Sequence, residues 1–220
     1  MMQEILTYFS GLDLYGWLEI VAMAAGIWYV YLEIRKTKLL WYVCIVTSTL
    51  NIFVYWHNSY LSMALIQLYY IGTSLYGIRA FRKIREEAAA GSGGSDALAD
   101  EKVAIRRFDW KTGGIAAAVS VALFFLLTPV LRAYAAAHGP LLFPSQPCWD
   151  AFIAVGSMLG TFFLSKSYMC QWYVWLVVNM VTVCVFLYSG MYWMAGMYAV
   201  YIVMSVLGIR NWRRNGVYVG

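Results

Sequence analysis

The strongest constraint in this chain is a run of apolar blocks, each of about 18 to 23 residues, separated by short polar joins. A helix rising about 1.5 Å per residue crosses the roughly 30 Å hydrocarbon layer in about 20 residues. Inside that layer every backbone polar group needs a partner within the chain, so helices or a closed barrel are the only spanning forms. The blocks are continuous rather than alternating, which predicts an all-α membrane protein. Of the 220 residues, 62% are hydrophobic and 12% charged, against roughly 25% charged in a soluble domain.

Seven spans follow, near 17–32, 39–56, 60–80, 113–135, 149–164, 171–188 and 192–208. Glu33, Arg35, Lys36 and Lys38 end the first. The expected organisation is an interfacial segment 1–16, a three-helix repeat 17–82, a cytoplasmic linker 83–112, a connector helix 113–136, a second three-helix repeat 148–214 and a tail 215–220. The linker contains Ala-Gly-Ser-Gly-Gly-Ser, the composition of a mobile tether. His57-Asn58-Ser59 reads as a tight turn.

An odd number of spans puts the termini on opposite sides. Of the 16 Lys and Arg residues, 15 then fall on one side and only Arg132 on the other. Because short cytoplasmic loops carry the excess of Lys and Arg, the linker and C-terminus are expected in the cytoplasm and the N-terminus outside.

The same distribution excludes several functions. The net charge of +5 flanks the spans, so no nucleic-acid partner is expected. The four cysteines form no CxxC and the histidines lie in loops, so neither a metal nor another cofactor is expected. There is no GxxxxGK[ST] loop for ATP and no HExxH, and the seventh span has no lysine to hold retinal. No ionisable residue lies mid-span; Glu19 and Asp150 fall near the outer ends. Residues 1–16 carry no Lys or Arg, which argues against a cleavable signal. The chain is not expected to be an enzyme.

A shift of 131 residues aligns the halves without a gap. Trp41-Tyr42-Val43 falls on Trp172-Tyr173-Val174, Ser74 on Ser205, and Gly77-Ile78-Arg79 on Gly208-Ile209-Arg210. Over 41–83 there are 14 identities in 43 columns. Four crossings separate spans 1 and 5, so the repeats run parallel, giving a 3+1+3 arrangement about an axis along the membrane normal.

Such a design places a ligand where the halves meet. Trp172, Trp175 and Asn179 share one side of a helix, and Trp41, Cys44, Ser48 and Asn51 form the matching stripe. Gln67 and Tyr198 stand on the helices that follow. Amides at membrane depth are costly unless they are paired or face a cavity. Indole and phenol faces suit a flat ligand, and a cationic ring in particular. The expected binding residues are therefore Trp172, Trp175, Asn179, Gln67, Asn51, Tyr198, Trp41 and Ser48.

These residues resemble the PnuC family of vitamin transporters. The resemblance rests on Trp172, Trp175 and Asn179 as WxxWxxxN, on Leu65-Ile66-Gln67-Leu68-Tyr69-Tyr70 and on Ser74-Leu75-Tyr76-Gly77. It covers about 15–85 and 148–214. It implies a bacterial inner-membrane protein that takes up nicotinamide riboside, or thiamine in one branch. By the resemblance, Trp172, Trp175, Asn179 and Gln67 contact the vitamin, and a cytoplasmic kinase traps it. Many members carry an acidic residue just before the first motif tryptophan, where Cys170-Gln171 stand here. A small-sugar transporter and a non-transporting seven-helix protein are the other classes the sequence admits. It leaves a homo-oligomer open.

Overall fold

A computed structural model of the chain describes residues 14–57, 61–91, 103–138 and 143–219. Most of the expected interfacial segment, residues 58 and 59 of the expected turn and most of the glycine–serine tether lie outside the described residues. The described residues form seven helices: α1 (Leu14–Arg35), α2 (Leu39–His57), α3 (Leu61–Gly91), α4 (Trp110–His138), α5 (Gln146–Ser165), α6 (Gln171–Tyr188) and α7 (Tyr192–Asn215). Two short strands join them, β1 (Val103–Arg106) and β2 (Gly216–Val219).

Four stretches are long and apolar enough to cross a bilayer: Trp110–Ala137, Gln146–Ser165, Gln171–Tyr188 and Met194–Asn215. Leu39–Phe53 is a shorter apolar helix. The chain is a multi-pass helical membrane protein. Helix α3 continues far beyond the apolar stretch that ends near Ala80. Its extension, Phe81 to Gly91, is built mainly from Arg, Lys, Glu and Ala, strong helix formers with no breaker before the glycine.

Helix α4 is apolar all round, the pattern of a helix bathed in lipid. Phe125 is 70% exposed and Leu126 66%, and α4 packs on α5. Asp109 starts it: its carboxylate accepts from the Lys111 and Thr112 backbone N–H groups at 3.1 Å and from the Thr112 hydroxyl. Those bonds, led by the Thr112 hydroxyl, hold the Asp109 carboxyl below its ordinary value.

Within each half, consecutive helices pack on one another: α1 on α2 and α2 on α3, then α5 on α6 and α6 on α7. Between the halves, α1 packs on α7 and α3 on α5. The 131-residue shift carries α1 to α5 and α3 to α7, so it exchanges these two contacts.

The turns that open each half match bond for bond. Between α1 and α2, Lys36 N–H donates to Glu33 O, Thr37 to Leu32, Leu40 to Thr37 and Trp41 to Lys38. Between α5 and α6, Ser167 donates to Leu164, Tyr168 to Phe163, Gln171 to Tyr168 and Trp172 to Met169. Lys36 and Ser167 both take left-handed backbone, at φ 49° and 63°. Left-handed backbone is strained for side-chain-bearing residues, and here both turns share it.

Strand β1 crosses this end of the bundle. It pairs in parallel with β2, Val103 opposite Gly216 and Arg106 opposite Val219. Arg106 N–H donates to Ser167 O at 3.0 Å, and the Lys36 ammonium donates to Ala104 O. Val103 and Ile105 are buried with Leu32, Leu40, Trp41, Leu164, Trp172 and Trp212 in one core. The linker thus contributes a strand where its composition suggested only a tether. Lys36, which reads in sequence as a solvated flank, is buried instead. Its Nζ lies 5.1 Å over the Trp212 ring. Burial first, and the Arg106 charge second, lower its pKa to about 7.

Candidate functional site

The eight expected binding residues fall into two clusters, one in each half. Trp41, Ser48 and Asn51 stand on α2 and Gln67 on α3; Trp172, Trp175 and Asn179 stand on α6 and Tyr198 on α7. Trp41, Ser48, Gln67, Trp172 and Asn179 are buried, while Asn51, Trp175 and Tyr198 are half-buried.

Trp41 and Trp172 occupy equivalent places. Trp41 covers Gly77 so closely that a Cβ there would stand 2.5 Å from the ring. Trp172 covers Gly208, where the same atom would stand 2.6 Å away. Only glycine admits each indole at this depth, since every other residue puts a carbon where the ring lies. Trp172 also meets Trp212 edge-on at 5.6 Å, and the Trp212 indole N–H donates to Ile34 O at 3.0 Å.

The motif stripe is shared between two neighbours. Trp172 and Asn179 face α7, where the Asn179 amide donates to Ser205 Oγ at 3.4 Å and Ser205 donates to Tyr201 O at 2.8 Å. Trp175 faces α5, where it lies over Gly160, a Cβ of which would come within 2.9 Å. A spacing of three and then four residues places side chains about one helix face, but that face spans the seam between α5 and α7. In the first half Ser48 stands 4.0 Å from Cys44 Sγ. Tyr198 meets Phe186 at a tilt, 5.4 Å between ring centres, and Tyr201 edge-on at 5.5 Å.

The indole N–H groups of Trp41, Trp172 and Trp175 are buried without an acceptor among the described residues. Gln171 is fully buried with neither amide atom partnered among the described residues, and Glu33 Oε1 is likewise alone. Buried polar atoms are almost always paired, so these atoms are chemically unusual. A separate cavity of about 320 Å³ lies among α3, α4 and α5, lined by residues such as Tyr69, Val119 and Phe162. None of the eight expected residues lines it. The Tyr69 hydroxyl donates to Met158 O at 2.8 Å beside it.

Sequence reasoning missed Glu33, Gln171, Tyr29 and Gly160. The repeat contained the signal for the last two, since position 29 aligns with 160 and position 44 with 175. Tyr29 opposite Cys44 becomes Gly160 opposite Trp175, an exchange of large for small across the same helix pair. All four cysteines are free thiols, and among the described residues no group of His, Cys, Asp and Glu could hold a metal.

Comparison with known proteins gives the family and the fold. The riboflavin/roseoflavin transporter RibM of Streptomyces davaonensis is 30% identical over 125 residues, 54% of this chain and 53% of that protein. The nicotinamide riboside transporter PnuC of Escherichia coli K12 is 27% identical over 66 residues, 30% of this chain and 28% of that protein. The chain therefore spans about half or less of the curated relatives it matches. The crystal structure of the vitamin B3 transporter PnuC shares the fold, with a TM-score of 0.62 at 21% identity, covering 97% of this chain and 86% of that one. The resemblance to PnuC-type vitamin transporters read from WxxWxxxN holds. The nicotinamide mononucleotide transporter family model matches residues 16–214, and the chain belongs to that family.

Proposed function

We propose that this chain is a facilitator of nicotinamide riboside uptake across the bacterial inner membrane. Two parallel three-helix repeats, joined by α4 in a 3+1+3 arrangement, rock around a fixed site, with the N-terminus outside and the C-terminus in the cytoplasm. Trp172, Trp175, Asn179, Gln67, Asn51, Tyr198, Trp41 and Ser48 bind the vitamin, and a cytoplasmic kinase traps it by phosphorylation.

The observation that carries this reading is the set of three buried indole N–H groups on Trp41, Trp172 and Trp175 without acceptors among the described residues. Each unmet donor costs roughly 1–3 kcal/mol. A flat ligand with a carboxamide and ribose hydroxyls supplies acceptors, and its cationic ring is attracted to indole faces. The matching hydrogen bonds of the two turns and the exchange of α1–α7 with α3–α5 support the repeat.

Uptake of labelled nicotinamide riboside into proteoliposomes holding purified protein tests this. Saturable uptake, with no accumulation above equilibrium until a kinase and ATP are enclosed, is the expected result. No uptake above protein-free vesicles rejects transport; accumulation without the kinase rejects facilitation. A second reading, favoured by the alignment to the riboflavin/roseoflavin transporter over 54% of the chain, is a riboflavin carrier. Competition by unlabelled riboflavin and thiamine in the same assay decides among the three vitamins.

A further inference from the structure

We infer that Glu33 is the counter-charge for a cationic ligand, and that it makes the site select a positively charged flat vitamin over an uncharged one. This deepens the transport reading above and rests on it.

Glu33 lies near the end of α1 and is 2% exposed, the only acidic side chain classed as buried among the described residues. Its Oε1 has no hydrogen-bond partner among them. The obvious cation, Lys36, is turned away: its ammonium donates to Ala104 O and covers the Trp212 ring. Glu33 bears electrostatically on Tyr29 and Cys44. Cys44 belongs to the stripe that carries Trp41 and Ser48, and both of those are buried. Its neighbour Leu32 lies in one buried core with Trp41 and Trp172, two of the indoles that lack an acceptor among the described residues.

The second half shows that the fold does not require it. Position 33 aligns with Leu164, which is fully buried in the same core. Both residues use only their backbone in the turn, Lys36 N–H donating to Glu33 O and Ser167 N–H to Leu164 O. A leucine thus completes the same turn with an apolar side chain. A buried carboxyl with an unpartnered oxygen is costly, and replacing it by an apolar residue commonly stabilises. A costly buried ionisable group marks a candidate functional position, and its cost is relieved when a cation arrives. Nicotinamide riboside and thiamine carry that positive ring, whereas riboflavin is uncharged.

The test compares wild type, Glu33→Leu and Glu33→Gln, each purified, by thermal unfolding and by binding of nicotinamide riboside, thiamine and riboflavin. For Glu33→Leu the melting temperature should rise. Affinity for the wild type's cationic ligand should fall at least tenfold, and any riboflavin affinity should stay within about twofold. Glu33→Gln should show the same loss with a smaller thermal shift. A lower melting temperature with equal loss for all ligands makes Glu33 structural and overturns the inference, as does unchanged cation binding in both variants. A wild type that binds riboflavin alone also overturns it. A wild type that binds none of the three rejects the transport reading itself, a result distinct from the variants matching a wild type that binds.

Discussion

The two halves solve one packing problem with the ring on opposite helices. In the first, Tyr29 of α1 stands against the small Cys44 of α2, the two side chains within hydrogen-bonding reach. In the second, Gly160 of α5 leaves the space and Trp175 of α6 fills it. Elsewhere the halves are nearly interchangeable: indole over glycine at Trp41–Gly77 and Trp172–Gly208, and the same bonds in both opening turns. Conservation of the frame with inversion of one contact teaches where the chain needs symmetry and where it needs difference. Under the function proposed above, rocking of like halves would use the frame, and recognition of an asymmetric ligand would use the inverted contact, because identical walls cannot tell the two ends of a molecule apart.

The sharpest way to break this comparison is to force the second half's choice on the first. Cys44→Trp alone places an indole where Tyr29 already stands, and overpacking of this kind costs about 3 kcal/mol. The double substitution Tyr29→Gly with Cys44→Trp recreates the Gly160–Trp175 pair and should recover most of that loss. A thermal-unfolding cycle on the purified protein measures the coupling. Additive losses would mean that the two halves are not equivalent here.

Ligand binding should be lopsided for the same reason. Trp175→Ala removes an indole that the first half lacks at the equivalent position, Cys44, and on the proposed function should weaken nicotinamide riboside binding by roughly 2 kcal/mol. Tyr29→Ala, its counterpart in volume, should weaken binding less. Equal effects by calorimetry would make the inverted contact a packing detail.

Smaller still is the effect of the two glycines. Gly208→Ala and Gly77→Ala each put a carbon about 2.5 Å from an indole, so the ring must move. The strain, typically 1–3 kcal/mol, is offset by about 1 kcal/mol of helix propensity gained on replacing glycine. A net loss of about 1 kcal/mol, similar at both positions, is expected in unfolding. A loss at one position only would show that the frame is less symmetric than its hydrogen bonds.

How much of this was legible in the sequence follows from what each feature depends on. The helices were, because length and apolar continuity are local properties. The repeat was, because Trp41 and Trp172 or Gly77 and Gly208 are identities at a fixed spacing. The burial of Lys36 and the strand at Val103–Arg106 were not. Both depend on β2, more than a hundred residues further along, reaching back to pair with β1. The helical spacing of Trp172, Trp175 and Asn179 was legible, but the division of their face between α5 and α7 depends on where the neighbouring helices lie. Glu33 looked like an ordinary charge at a helix end, and only the packed turn shows that it is buried with Oε1 unpartnered among the described residues.

The least costly distinction between the halves is Asn179, where the first half carries Ser48. Asn179 donates to Ser205 Oγ across α6 and α7, at a long 3.4 Å, whereas Ser74, the counterpart of Ser205, stands within reach of the Cys44 thiol instead. Asn179→Ser makes the second half like the first. It removes one neutral hydrogen bond between helices, worth about 0.6 kcal/mol in a membrane. Thermal unfolding should register a loss of that size and no more. Binding should fall further than folding, because the free amide oxygen of Asn179 is an acceptor the shorter serine places differently. A variant that loses stability and affinity in equal measure would show that the amide only braces α6 against α7, and the difference between the halves would then rest on Trp175 and Glu33 alone.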